Sequence, residues 1–406
     1  MNMNVLFLTL LSFDSLQERN IYTDLLREFV KNGHEVYVIS PSEKRENKPT
    51  HVVKEDHATI LRLQIGNTQK TNIIEKGIST LLIEPQFKAG IKKYFSDVKF
   101  NLVLYSTPPI TLVSAVEYAK KRDGAKTYLL LKDIFPQNAV DIGIMSQTGV
   151  KGFLYKHFRR QEKKLYRISD RIGCMSQANV DYVLKHNPEV DPSIVEVCPN
   201  SVEVIDKSVE TETRKAIREK YRIPQDKIVF VYGGNLGKPQ GVPFLIECLK
   251  KCEKIDDAYF LIIGDGTEYN VLESYVETEK PKNVKLMKRL PKDEYDIMVG
   301  ACDVGLIFLD NRFTIPNFPS RLLSYMQAKL PVLAATDPNT DIGKVIVNGG
   351  FGWWCESNDA NQFVQIVVDA CNTDMQAMKE NAWEYLNDFY SSDRGFQIIK
   401  DISWSA

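Results

Sequence analysis

What this chain lacks narrows its reading before any motif is considered. No run of about eighteen apolar residues occurs, so no segment reads as a membrane-spanning helix. The apolar stretch near the start, VLFLTLL, is short and has no basic leader. It reads as a first strand rather than a signal peptide. Charge of one sign is missing too: the net charge is −1, so no global field favours nucleic acid and any basic patch must be local. The seven cysteines fall in neither CxxC nor Cys/His spacing. Cys248 and Cys252 lie one helical turn apart, but with no second pair of ligands nearby they read as core thiols in a reducing cytosol. HExxH and a Ser/His/Asp arrangement are absent, and His34, in a GHEV turn, reads as structural. The first strand is followed by LLSFDSLQERN and not by a glycine fingerprint, which leaves a dinucleotide oxidoreductase the poorest of the enzyme readings.

What is present is a soluble α/β chain of 406 residues, too long for one ordinary core and comfortable for two. Short apolar runs alternate with amphipathic helical periods. In the first half they are NVLFLTL, EVYVIS, TILRLQI, FNLVLYS, TYLLLKD, RIGCMS and IVEVCPN. After a charged break at 206–227 the pattern restarts with KIVFVYGGN, AYFLIIGDG, NVKLMKRL, DVGLIFLD and PVLAAT. Continuous apolar strands separated by helices imply parallel sheets. The expected organisation is two doubly wound domains, 1–205 and 206–373, facing a central cleft. Helices in 374–406 are expected to pack back on the first domain. Ligands of such sheets bind at the carboxyl ends of strands, so the loops there are the candidate sites.

Several of those loops carry suggestive chemistry. VYGGNLGKPQG places Gly233, Gly234 and Asn235 at a strand end, with Lys238 and Gln240 before the next helix. It is neither a Walker loop nor GxGxxG. It reads either as a plain strand–helix turn or as backbone amides and a lysine arranged for phosphate. IIGDGTE repeats the design with Gly264, Asp265 and Gly266. In FPSRLLSYMQAKLPVLA a helix opens at Ser320 with Arg321 in its first turn, where the helix dipole prefers an acid. The loop after PVLAAT adds Thr340, Asp341 and Gly343. In the first half, LLLKDIFPQNAVDIG puts Lys132 and Asp133 where a strand runs out. The segment 151–171 carries Lys151, Lys156, Arg159, Arg160, Lys163, Lys164, Arg167 and Arg171 against an apolar side. It reads as a packed helix with a solvated basic face, or as a helix lying on an anionic membrane.

Taken together, NGHEVYVIS, LLLKDIFPQNAVDIG, CMSQANVDYV, VCPNSVEV, VYGGNLGKPQG, IIGDGTEYNVLE, ACDVGLIFL and FPSRLLSYMQAKLPVLA resemble the family-4 glycosyltransferases. These are retaining, nucleotide-sugar-dependent enzymes of the GT-B fold. GGNLGKPQG with FPSRLLSYM looks like the bacterial branch that builds capsule, O-antigen or exopolysaccharide. The resemblance implies a UDP-linked donor whose diphosphate is neutralised by Lys238 and Arg321, aided by the Ser320 helix start and the GGN loop. Backbone near Met287 to Leu290 would meet the base. The chain departs from the family at Asn235, where many members carry Arg, and at Gln240, where Lys is common. Ser324 stands where a glutamate usually holds the ribose, Pro316 and Asn317 occupy the region of the other usual glutamate, and Asp341 is a candidate substitute acid. Lys132 and Asp133 would divide donor contact and acceptor orientation. No DxD-like metal site is evident, so transfer without a metal or other cofactor is expected.

The implied acceptor is a polyprenyl-diphosphate-linked saccharide at the inner membrane face. The enzyme would be cytoplasmic and peripheral there, held through the basic helix and the segment IEKGISTLLIEPQFKAGIKKYF. Two alternatives stay open: a UDP-sugar 2-epimerase of the same fold, and a non-catalytic partner subunit.

Overall fold

The computed structural model describes residues 2–67 and 73–402, with side chains for all of these except 73–78, 150, 151 and 402. The chain divides into two units, Met1–Glu203 with Ser392–Ala406, and Val204–Ser391. Each is a sheet flanked by helices. No described helix is long and apolar enough to cross a membrane.

The first unit carries β1 (Asn4–Leu8), β2 (Glu35–Glu43), β3 (His51–Glu55), β4 (Ala58–Ile65), β5 (Leu102–Ser106), β6 (Lys126–Leu131), β7 (Arg171–Cys174) and β8 (Val195–Val197). They run in the order β3-β4-β2-β1-β5-β6-β7-β8. β1 pairs in parallel with both β2 and β5, so the order reverses there and the loops after β1 and β5 border a crevice. β3 was not legible in the sequence. HVVKE is mostly solvent-facing and pairs antiparallel with β4 at the sheet edge, so it needs no continuous apolar run. Leu6, Leu8, Val103, Tyr105, Leu129 and Leu131 are among the residues that build one face of the core.

The second unit carries β9 (Ile228–Asn235), β10 (Ala258–Asp265), β11 (Val284–Met287), β12 (Val304–Phe308), β13 (Val332–Thr336) and β14 (Gly352–Glu356), ordered β11-β10-β9-β12-β13-β14. Every pairing is parallel, as buried apolar strands joined by helical crossovers require. The reversal falls between β9 and β12, which puts the loop after β9 at the crevice of this unit. The edge strand β14 was also unread, because Gly352, Trp353 and Trp354 are only half-buried. The charged break contains a helix, Thr211–Lys220, pinned by buried Arg218 to Asp303 at 2.6 Å.

The two terminal helices differ in what they pack on. Gln376–Tyr390 belongs to the second unit and lies along the helix Arg321–Gln327. Ser392–Ile402 returns to the first unit, against the helix Ile21–Lys31, as expected for the chain end. Phe396 meets Phe29 edge-to-face at 4.9 Å, and the Ser392 hydroxyl donates to Glu28 at 3.0 Å. His34 is buried beside them, and its Nδ1 accepts from the Met3 amide at 3.2 Å, a structural role.

Candidate functional site

In the second unit, β9 and β10 run together to their ends, with Gly234 opposite Gly264 and Asn235 opposite Asp265. The glycines are there because the backbones nearly touch. A Cβ on Gly264 would lie 2.1 Å from the Gly234 carbonyl oxygen, and one on Gly266 would lie 2.4 Å from that of Leu236. Gly234 takes φ +127°, open to glycine alone without strain. Gln240 holds the loop shut, accepting from Asn235 Nδ2 at 3.2 Å and from the Gly237 amide at 3.1 Å. The residue that replaces the usual cation is thus spent on the loop's own shape. Lys238, in the short 3₁₀ turn Lys238–Gln240, is exposed. Asp265 is exposed as well and turns back to accept from the Gly266 amide at 2.8 Å.

Arg321 lies over this turn. Its guanidinium stacks on the Tyr232 ring at 4.3 Å, and Nη2 stands 3.6 Å from where a Cβ of Gly234 would be. Nη1 is buried without a hydrogen-bond partner, and no carboxylate among the described residues forms an ion pair with Arg321. A buried guanidinium with an unmet N–H is costly unless something else satisfies it. Its polar neighbours are the phenols of Tyr232, Tyr295 and Tyr325, with no acid among them. Tyr325 is fully buried, and its hydroxyl accepts from the Gly233 amide at 3.3 Å while lying 3.0 Å from the Leu306 carbonyl. This arrangement leaves a fixed positive charge at the carboxyl edge of the sheet, suited to an anion.

The remaining candidates of this unit are more dispersed. Ser320 is exposed, already helical in φ and ψ, and its hydroxyl does not cap the seven-residue helix that follows. Ser324 is half-buried one turn further on. Met287 closes β11 beside Ile263, and Leu290 lies in the loop beyond. Asp341 precedes the helix Ile342–Asn348, close enough to the Tyr385 and Tyr390 phenols to help raise their pKa after burial itself.

In the first unit, Lys132 and Asp133 follow β6, but their side chains make different contacts. The Lys132 ammonium donates to the Cys198 carbonyl at 3.3 Å, and burial lowers its pKa. Asn138 donates to both Asp133 oxygens, at 2.8 and 2.7 Å. Burial raises the Asp133 carboxyl to about 6 despite those bonds. Thr107, after β5, accepts from both backbone amides of the pair, at 3.0 and 3.2 Å. Phe135 packs against Phe158 at 5.1 Å, which ties this loop to the basic helix. Sequence reasoning missed Thr107, Asn138, Tyr232, Tyr295 and Tyr325. Only Asn138, five residues beyond Asp133, and Tyr325, one helical turn beyond Arg321, carried a local signal.

Comparison with known proteins bears on the family and the fold. The model described as "Glycosyltransferase Family 4" matches residues 20–204, and "Glycosyl transferases group 1" matches 213–384. The chain is a family 4 glycosyltransferase. The transferase is 24% identical over 313 residues to the probable glycosyltransferase WbjE of Pseudomonas aeruginosa, covering 77% of this chain and 76% of that one. Its fold matches sucrose-phosphate synthase of Thermosynechococcus elongatus at TM-score 0.78 and 13% identity, over 99% and 98% of the two chains. It also matches Anabaena Alr3699/HepE, solved with UDP-glucose, at 0.70 and 14% over the whole of both chains. The glycosyltransferase therefore has the GT-B fold of two Rossmann-like, parallel-sheet domains.

Proposed function

We propose that this glycosyltransferase moves a sugar, with retention, from a UDP-linked donor to a polyprenyl-diphosphate-linked saccharide in bacterial surface polysaccharide synthesis. The observation that carries the donor half is Arg321: a guanidinium with a buried, unmet N–H, no acid beside it and a glycine turn beneath it. Breaking the anomeric C–O bond develops positive charge on the sugar and negative charge on the departing diphosphate. Arg321, exposed Lys238 and the amides of the Gly233–Asn235 turn stabilise that leaving group by charges set before reaction. The Gly264–Gly266 turn closes on the same ligand, the base lies toward Met287 and Leu290, and Ser324 or Asp341 takes the ribose in place of the usual glutamate. With no nucleophilic carboxylate assigned, the acceptor hydroxyl attacks on the face the diphosphate leaves, and the leaving phosphate takes its proton. Asp133 orients the acceptor and Lys132 supports the donor.

The membrane half is supported by the helix Gly149–Ile168. Arg159 is spent on Glu162 at 2.6 Å and on Asn187, and Lys163 on Glu189 at 2.9 Å. Lys156, Arg160, Lys164 and Arg167 form an exposed stripe at helical spacing that continues to Phe153, which is 76% exposed. Lys151, counted with these cations, and the first residues of IEKGISTLLIEPQFKAGIKKYF lie outside the described side chains. Cations beside an exposed aromatic suit an anionic bilayer face, with the enzyme peripheral on the cytoplasmic side.

The donor reading is tested by calorimetric titration of the wild type and Arg321→Ala with UDP, GDP and UDP-sugars. UDP-selective binding that is lost in the variant is the expected result. GDP selectivity would overturn the donor, and binding untouched by the substitution would overturn the role of Arg321.

A further inference from the structure

Three phenols surround the Arg321 guanidinium, and they are not equivalent. The Tyr232 ring lies under the cation, and its hydroxyl donates to the Asn235 carbonyl at 2.6 Å. The Tyr325 hydroxyl is committed to backbone, between the Gly233 amide and the carbonyls of Leu306 and Val231. The Tyr295 hydroxyl makes no hydrogen bond to any described residue.

Tyr295 comes from the helix Lys292–Gly300 and reaches the same turn. A Cβ on Gly233 would stand 1.8 Å from its phenol oxygen, so only glycine leaves that oxygen its place. Gly233 and Gly234 are consecutive: Tyr295 covers the first, and Arg321 Nη2 stands over the second. Burial pushes the Tyr295 pKa up, so the phenol keeps its proton at neutral pH and can donate. A free O–H donor and an unpaired cation over one glycine turn, with no acid between them, form a two-point site for phosphoryl oxygens.

We propose that Tyr295 is a donor-site binding residue, its hydroxyl donating to the diphosphate that Arg321 neutralises. The inference rests on the diphosphate reading above. It makes the site selective for the charged leaving group as well as for the base.

The experiment titrates wild type, Tyr295→Phe, Arg321→Lys and the double variant with UDP, GDP and uridine, and records each unliganded thermal midpoint. Phenylalanine keeps the ring over Gly233 and removes only the oxygen. UDP affinity in Tyr295→Phe is expected to fall about tenfold, the scale of one hydrogen bond to a charged group, with uridine binding and the midpoint unchanged. The double variant should lose less than the product of the two single losses, because both groups serve one ligand moiety. Wild-type UDP affinity in Tyr295→Phe, with a loss in Arg321→Lys, would overturn the Tyr295 role and keep the diphosphate reading. An equal loss of uridine and UDP in Tyr295→Phe would overturn it too, placing the phenol against the nucleoside. Failure of wild type to bind either UDP or GDP would overturn the diphosphate reading and the proposal with it.

Discussion

Asp133 shows how much a single buried group can be asked to report. Its carboxyl is held at about 6 by burial, against an ordinary value of 3.8. Between about pH 4 and 6 the folded chain therefore keeps a proton that the unfolded chain has released, so this residue's contribution to stability falls as pH rises through that window. Asp133→Asn removes the titration. Denaturant midpoints measured from pH 4 to 7 should decline less steeply in the variant than in the wild type, and parallel profiles would refute the assignment. If ionised Asp133 orients the acceptor, kcat/KM for transfer should also rise through about pH 6 in the wild type, and Asp133→Asn should flatten that limb. The strand-end rule pointed to Asp133 from the sequence. Its raised pKa did not show there, because it depends on what covers the carboxyl.

At the scale of elements, the helix Thr211–Lys220 is held mainly by one polar cluster. Arg218, 1% exposed, donates to Asp303 and to the Ala301, Pro224 and Lys227 carbonyls. Asp303 also accepts from the Val229 amide at 2.8 Å, which joins the helix to β9 and β12. Asp303→Ala leaves a buried guanidinium without its counter-charge, and unfolding should be easier by about 3–5 kcal/mol. A loss below about 1 kcal/mol in chemical denaturation would show the cluster to be peripheral. The basic helix Gly149–Ile168 invites a different test. Reversing Lys156, Arg160, Lys164 and Arg167 should abolish sedimentation with anionic vesicles. Wild-type binding should weaken with added salt, since surface charges are screened over about 10 Å at 0.1 M. Undiminished binding by the reversed variant would remove this helix from the membrane reading.

For the whole molecule, the two units have separate cores. Phe230, Leu245, Leu306 and Phe363 belong to one, and Phe7, Phe29, Leu104 and Phe396 to another. Calorimetry should resolve two transitions, and a saturating nucleoside diphosphate should raise only one of them. At a hundredfold excess over Kd the stabilisation is about 2.7 kcal/mol. The Arg321→Ala protein should show both transitions with neither raised. An equal shift of both transitions in the wild type would argue against a donor site built from the second unit alone.

The sequence by itself determined the class of fold and the addresses of the candidate loops. Buried parallel strands must be apolar along their length, and glycines must mark places where backbones touch, so β9, β10, β12 and β13 and the turns at Gly233–Asn235 and Gly264–Gly266 were legible. The edge strands β3 and β14 were not, because an edge needs no continuous apolar run. Tertiary structure alone decided what each polar residue does. Gln240 shapes a loop, Arg159 and Lys163 pair within the first unit, and Asp133 is clamped by Asn138. Arg321 rests among tyrosines 232, 295 and 325, which come from three separate elements. The burial of Asp133 and Arg321, and the approach of Tyr232 and Tyr295 to Arg321 from far along the chain, depend on desolvation and on long-range distances that local pattern does not carry.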